Sequence, residues 1–220
     1  MTIKGVTFDI GGVLYSDDVF KRAIKKALIE MGASVTDESF EKVYGDHLEA
    51  QNGSLRNKLC NQFLGSLDRK EELLKITDKY WLFETSDIYE DGKKELQKLK
   101  NSGLKLGIIA NQPATVADSL KRDGLYDLFE FVGISALVGL EKPKPEFFSF
   151  AANKLGLSPT EIVHVGNRVD NDVKPAKSIG MKTIWVMRGE ANPNPTASDL
   201  REDDLSVLNL ENISELIATL

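Results

Sequence analysis

Two rhythms of apolar and polar positions run through the chain. Short apolar, β-branched runs at Val6–Phe8, Leu104–Ile109, Ile162–Val165 and Thr183–Val186, with a weaker one at Phe131–Ile134, alternate with helical patterns. That alternation predicts βαβ units around a buried parallel sheet. Asp91 and Gly92 open a helix that runs to Ser102, and Gly103 sits where a C-terminal cap belongs. Ser158-Pro159-Thr160-Glu161 combines an N-cap serine, proline at the first helical position and glutamate at the third, and so predicts another helix start. Asp172 to Ile179 reads as helix stopped by Gly180, and Glu211 to Leu220 as a final amphipathic helix.

The stretch from Asp17 to Phe83 has a different character. It contains no convincing strand and reads as four helices, broken near Gly32-Ala33, Gln51-Asn52-Gly53 and Gly65-Ser66, with Asp68 and Glu71 as a capping box for the fourth. An all-helical block inserted after the first strand of an α/β sheet is expected to fold as a small second domain. It would cover the carboxyl ends of the strands, where open α/β sheets bind ligands. The expected division is residues 1–16 and 84–220 for the core and 17–83 for the helical cap.

Composition narrows the function classes. A hydrophobic fraction of 41% and a charged fraction of 28% over 220 residues are those of a globular chain with a real core. A net charge of −6, with no basic stripe interleaved with aromatics, argues against nucleic acid or an anionic membrane as partner. Cys60 is the only cysteine, so no intrachain disulfide forms. With neither a signal core nor a membrane-length apolar run, the expected location is the cytoplasm.

Four strand ends carry candidate chemistry. In Val6-Thr7-Phe8-Asp9-Ile10-Gly11-Gly12 a buried strand delivers an aspartate into the crevice, and two glycines let backbone groups approach a ligand. In Ile108-Ile109-Ala110-Asn111-Gln112 the side-chain amides of Asn111 and Gln112 can donate to an anion, although Asn111 could equally make an Asx turn before Pro113. Glu141-Lys142-Pro143-Lys144-Pro145 is a proline-stiffened loop suited to holding the Lys142 ammonium against phosphate or carboxylate. Gly166-Asn167-Arg168-Val169-Asp170-Asn171-Asp172 brings oxygen-bearing side chains to a helix start, where they could cap the helix or suit Mg²⁺, a cation of oxygen ligands.

In this order the four segments resemble the motifs of the haloacid dehalogenase-like superfamily, and the resemblance spans essentially the whole chain. It implies a Rossmann-like parallel α/β core with an inserted helical cap. It also implies a Mg²⁺-dependent phosphatase acting on a small phosphorylated metabolite. In that family the first aspartate, here Asp9, attacks phosphorus to give an aspartyl-phosphate. The motif-three lysine, Lys142, pairs with aspartate and phosphate, while Asn111 and Gln112 fall at the phosphate-binding strand end. The metal is held by Asp9, by the backbone carbonyl two residues on (Gly11) and by the motif-four side chains Asn167 and Asp172.

The departures from the family pattern define the open question. Gly11 stands where the phosphatases carry a second aspartate, the general acid and base. Ala110 replaces a serine or threonine, and Asn167 replaces an acid. Asp17, Asp18 or the cap residue His47 could substitute as proton donor, His47 fitting better as a surface helix residue. Two other readings remain at this point: a non-catalytic binder of phosphorylated ligands, and a metal-independent 2-haloacid dehalogenase.

Overall fold

Six strands form one all-parallel sheet in the order β3-β2-β1-β4-β5-β6. They are β1 (Gly5–Phe8), β2 (Lys105–Ala110), β3 (Phe131–Ile134), β4 (Ile162–Gly166), β5 (Lys182–Val186) and β6 (Leu205–Val207). The computed structural model describes residues 2–51 and 53–220. β1 lies centrally, paired with β2 on one side and β4 on the other. The chain builds β2 and β3 outward on one flank and returns to build β4 to β6 on the other. The resulting switch point, between β1 and β4, is where open α/β sheets leave a crevice beyond their strand ends. Asp9 follows β1 directly into that crevice, its N–H donating to the Val165 carbonyl at 2.9 Å.

The strands are apolar because both faces are covered. Val6, Phe8, Leu106, Ile108, Val163, Val165 and Ile184 are essentially inaccessible to solvent. After β1 the helical insertion supplies four α-helices, α1 (Asp18–Glu30), α2 (Asp37–Ala50), α3 (Leu55–Leu64) and α4 (Lys70–Tyr80), and a fifth helix follows before β2. Of the expected break Gln51-Asn52-Gly53, Asn52 lies outside the described residues. Gln51 and Gly65 both end helices in the left-handed conformation. α1 and α4 pack on each other, and Ile24, Phe40, Leu59 and Leu73 join these helices to the same core as the sheet. The remaining helices are α5 (Glu90–Asn101), α6 (Val116–Arg122), α7 (Ser135–Val138), α8 (Pro145–Leu155), α9 (Lys174–Ser178) and α10 (Ile213–Ile217).

Several local expectations differ from the structure. Ser158-Pro159-Thr160-Glu161 does form a capping box, but it closes a single 3₁₀ turn, because β4 begins at Ile162. The cap before α4 is Ser66, whose hydroxyl accepts the Asp68 N–H at 3.0 Å, and a 3₁₀ turn precedes the helix. The run from Asp172 splits into a π turn over Val169–Val173 and a short α9, because Pro175 has no N–H to continue the ladder. β6 was not expected from the pattern; its three residues pair with β5 at the sheet edge.

Candidate active site

Asp9, Lys142 and Asp172 meet at the strand ends. The Lys142 Nζ lies 2.9 Å from Asp9 Oδ1 and 2.6 Å from Asp172 Oδ1, with all three side chains almost fully enclosed. Asp9 Oδ1 also accepts the Ile10 N–H at 2.8 Å. Its Oδ2 has no hydrogen bond among the described residues, and Asp9 lines a cavity of about 920 Å³ between the helical insertion and the sheet. One carboxylate oxygen is thus anchored and the other left open, the arrangement a nucleophile requires.

Burial sets the electrostatics here. It pushes the Asp9 carboxyl up to about 6, against the pull of Lys142 and with the Asp172 charge adding to the rise. Burial acts on Asp172 too, but Lys142 and His164 outweigh it and hold that carboxyl well below the usual range. The Lys142 ammonium is disfavoured by burial, yet its two aspartates more than offset this and keep it charged. His164 stands behind Asp172, its Nε2 3.3 Å from Oδ1 and its Nδ1 3.0 Å from the Thr7 hydroxyl. Burial lowers its pKa, so it is neutral at pH 7, and a proton on Nε2 satisfies both neighbours.

The other expected site residues divide into two groups. Gln112 lines the cavity beside Gly11, and its buried Oε1 has no partner. Asn111 turns its amide to the Lys142 backbone instead, accepting the Lys142 N–H at 2.8 Å and donating to its carbonyl at 2.9 Å. It therefore fixes the lysine loop, which departs from the expectation of a pure anion donor. Asp172 departs likewise. Its Oδ1 takes Lys142 and His164 while its Oδ2 accepts the Arg168 N–H at 3.0 Å, so both oxygens are engaged inside the protein.

The Gly11-Gly12 turn shows what replaces the missing side chain. A Cβ on Gly11 would stand 2.4 Å from Asp17 Oδ1, so the Asp17 carboxylate occupies the space where a side chain at 11 would begin. Gly12 has φ +68°, and a Cβ there would lie 2.0 Å from Asn167 Nδ2. Asp17 Oδ2 accepts the Glu190 N–H at 2.8 Å and Asn167 Nδ2 at 3.2 Å. Burial, then the charges of Glu190 and Asp9, hold the Asp17 carboxyl well above the ordinary aspartate range. Of the three sequence candidates for a substitute acid, only Asp17 sits against this turn. Asp18 starts α1 and, unlike Asp17, is not among the residues lining the cavity. His47 is fully buried, not on the surface. Its Nε2 faces Arg168 Nη1 at 3.3 Å, and burial, then Arg168, pulls it down to about 4.

Two neighbours escaped the sequence reading. Arg188 clamps the turn from outside, donating to the Gly12 and Val13 carbonyls and pairing with Asp91 at 2.7 Å. Glu190 positions Asp17 through its backbone. Both come from the loop after β5, far along the chain, with no local motif to flag them.

The chain matches the family model described as haloacid dehalogenase-like hydrolase over residues 3–180. It is 30% identical to a glyceraldehyde 3-phosphate phosphatase of Methanocaldococcus jannaschii over 228 aligned residues, covering 98% of this chain and 96% of that one. It is 35% identical to a phosphoserine phosphatase of Thermus thermophilus over 54% of this chain and 48% of that one. A crystal structure of a predicted phosphoglycolate phosphatase from Haemophilus somnus superposes with a TM-score of 0.79 at 22% identity, over 98% of each chain.

Proposed function

Because this chain belongs to the haloacid dehalogenase-like hydrolases, we propose that it is a phosphatase of small phosphorylated metabolites working through Asp9. The observation that carries this reading is the Asp9 carboxylate, anchored through Oδ1 by Lys142 and Ile10 and open at Oδ2 to the cavity. The full-length relative named for glyceraldehyde 3-phosphate supports the substrate class. The test is phosphate release from a panel of alkyl, aryl and acyl phosphates with Mg²⁺ present. No release from any of them contradicts the reading, and halide release from 2-haloacids that survives a chelator would replace it with carbon–halogen cleavage.

In this reading the phosphate sits between Asp9, Lys142 and Gln112. Lys142 offsets the repulsion between an ionised carboxylate and an anionic phosphate. Asp9 Oδ2 attacks phosphorus, the ester oxygen leaves, and water later clears the aspartyl-phosphate. The helices α1 to α4 act as the cap, their inner walls closing the cavity over the reacting atoms and limiting water. The single buried cysteine, Cys60, fits a cytoplasmic setting.

Three of the four expected metal ligands fit Mg²⁺. Asp9 supplies a carboxylate, Gly11 a carbonyl, and Asn167 its Oδ1. Asn167 Nδ2 is committed to Asp17 and to the Arg188 carbonyl at 3.3 Å, while its Oδ1 has no donor among the described residues. Asp172 fits better as the counter-charge of Lys142, since both its oxygens are engaged. When bound, the ion would neutralise charge developing on the phosphoryl oxygens. Among the described residues no three His, Cys, Asp or Glu side chains form a ready cage, so affinity should be modest. Asn167→Asp is expected to tighten Mg²⁺ about tenfold. It also sets a second carboxylate against Asp17, so the metal-free variant should melt lower and gain more from Mg²⁺. Calorimetry and melting curves with and without Mg²⁺ check both effects. Equal affinity and equal metal-free melting would remove Asn167 from the metal site.

We further propose that Asp17 supplies the proton that position 11 cannot. Asp17→Asn should slow alkyl phosphates, which leave as basic alkoxides, by roughly 10²-fold in single turnover, and aryl phosphates far less. Gly11→Asp alone should bring no gain, because its Cβ displaces the Asp17 carboxylate. Combined with Asp17→Ala, it should recover alkyl-phosphate turnover at least about tenfold over Asp17→Ala alone. A single Gly11→Asp variant that melts like the wild type and accelerates alkyl phosphates would contradict this assignment.

A further inference from the structure

Arg56 is a cation on the cap side of the cavity, without a counter-ion within 4 Å among the described residues. It lies in the first turn of α3 and lines the same cavity as Asp9. Its guanidinium carbon lies 5.1 Å from the Phe20 ring centre and 5.3 Å from that of Trp81, and the two rings are 4.8 Å apart. Phe20 comes from α1 and Trp81 from the end of α4, so three segments of the cap converge to hold one arginine. Arg56 makes no hydrogen bond and no ion pair within 4 Å among the described residues. The charged groups around it, Glu190, Asp78, Glu141 and Arg168, all stand farther off.

The aromatic rings engage a guanidinium through π faces, whereas its five N–H donors lie in its own plane. An arginine held over ring faces, with no acceptor among the described residues, keeps its hydrogen-bonding capacity unused. Trp81 adds to this imbalance, because it is 5% exposed and its indole N–H has no acceptor among the described residues. The positive end of the ten-residue helix α3, with Gly53, Ser54 and Leu55, lines the same wall. Burial lowers the Arg56 pKa from its ordinary value, so the protein holds this cation in place without compensating it fully. A cavity of about 920 Å³ is far larger than one phosphate and takes a metabolite with groups at both ends.

We propose that Arg56 binds a second anionic group of the substrate, a carboxylate or a second phosphate, while the phosphate to be cleaved lies at Asp9. This rests on the phosphatase reading of Asp9 and narrows it to doubly anionic metabolites. Glycerol 3-phosphate or 3-hydroxypropyl phosphate leaves Arg56 without a partner. 3-Phosphoglycerate supplies a carboxylate and propane-1,3-diol bisphosphate a second phosphate.

Calorimetry with the Asp9→Asn protein and Mg²⁺ separates these cases, since binding is read without turnover. In each pair the doubly anionic ligand is expected to bind about tenfold to a hundredfold more tightly, the usual worth of charge-assisted hydrogen bonds. The pair with the larger preference identifies carboxylate or phosphate as the partner. Adding Arg56→Gln should erase the preference, and Arg56→Lys should keep only part of it. No preference in either pair, or a preference that survives Arg56→Gln, overturns the assignment. The ligand pairs give this answer in the Arg56 protein even if the glutamine variant does not fold. Inorganic phosphate distinguishes the two levels of failure. Phosphate that binds without any bonus for a second anion overturns Arg56 alone, whereas no phosphate binding overturns the reading at Asp9 as well.

Discussion

Replacing Lys142 by methionine should cost the protein about 3–5 kcal/mol, because it leaves two buried aspartates without their shared cation. Lys142 is 3% exposed and touches Asp9 and Asp172 at 2.9 and 2.6 Å. Asp172 would keep only His164 and the Arg168 N–H. For a chain of this size that loss lowers the melting temperature by roughly 6–20 °C near neutral pH. The pH dependence follows from the depressed Asp172 carboxyl. A carboxyl depressed on folding stabilises the protein above the unfolded value of about 3.9 and loses that contribution as pH falls. The gap between wild type and Lys142→Met should therefore hold from neutrality down to about pH 4 and narrow as the pH falls below it. Thermal melts across that range check it. A loss under about 1 kcal/mol at neutral pH would mean that the triad is not the buried ion cluster described. Turnover should fall with stability, since Lys142 is the side chain proposed to offset the repulsion between Asp9 and phosphate.

Asp9→Asn has the opposite balance: activity falls by more than about 10⁴-fold while the fold persists. The amide keeps the shape of the side chain but cannot attack phosphorus. Stability should hold or rise. Folded Asp9 titrates near 6, above the unfolded value of about 3.9. A raised carboxyl means that the native state binds its proton more tightly. That contribution is complete below the unfolded value and is lost as pH rises through about 6. Asparagine carries no charge to bury, so the melting temperature of the metal-free variant should gain on wild type between about pH 4 and 6. A variant that retained wild-type activity would remove Asp9 from the mechanism.

The central strands and the positions of Asp9 and Lys142 were legible in the sequence because each depends on local pattern. A buried run that ends in a polar residue at a glycine or proline turn states both the strand and the crevice side chain. The four helices after β1 were legible for the same reason, through caps at Gly65 and near Gln51. What could not be read were relations between distant segments. Nothing near Asn111 announces that its amide is spent on the Lys142 backbone thirty-one residues later. Nothing near Asp172 shows that His164 and Lys142 will claim its carboxylate. The clearest case is Gly11. In sequence it looks like a simple loss of a proton donor, but in space Asp17, held by Asn167 and the Glu190 N–H, fills the gap. The β6 edge was missed because its three half-buried residues carry too few positions to set a period, and the π turn at Val169–Val173 because it runs on into the helical pattern of α9.

The most direct measurement is a rapid quench of a single turnover of an aryl phosphate with Mg²⁺, followed by mass spectrometry of the peptide that spans β1 and Asp9. The expected result is a phosphoryl group on Asp9 that forms before phosphate is released and is absent from Asp9→Asn. Phosphate released while Asp9 stays unmodified, at a rate that Asp9→Asn shares, would contradict the account.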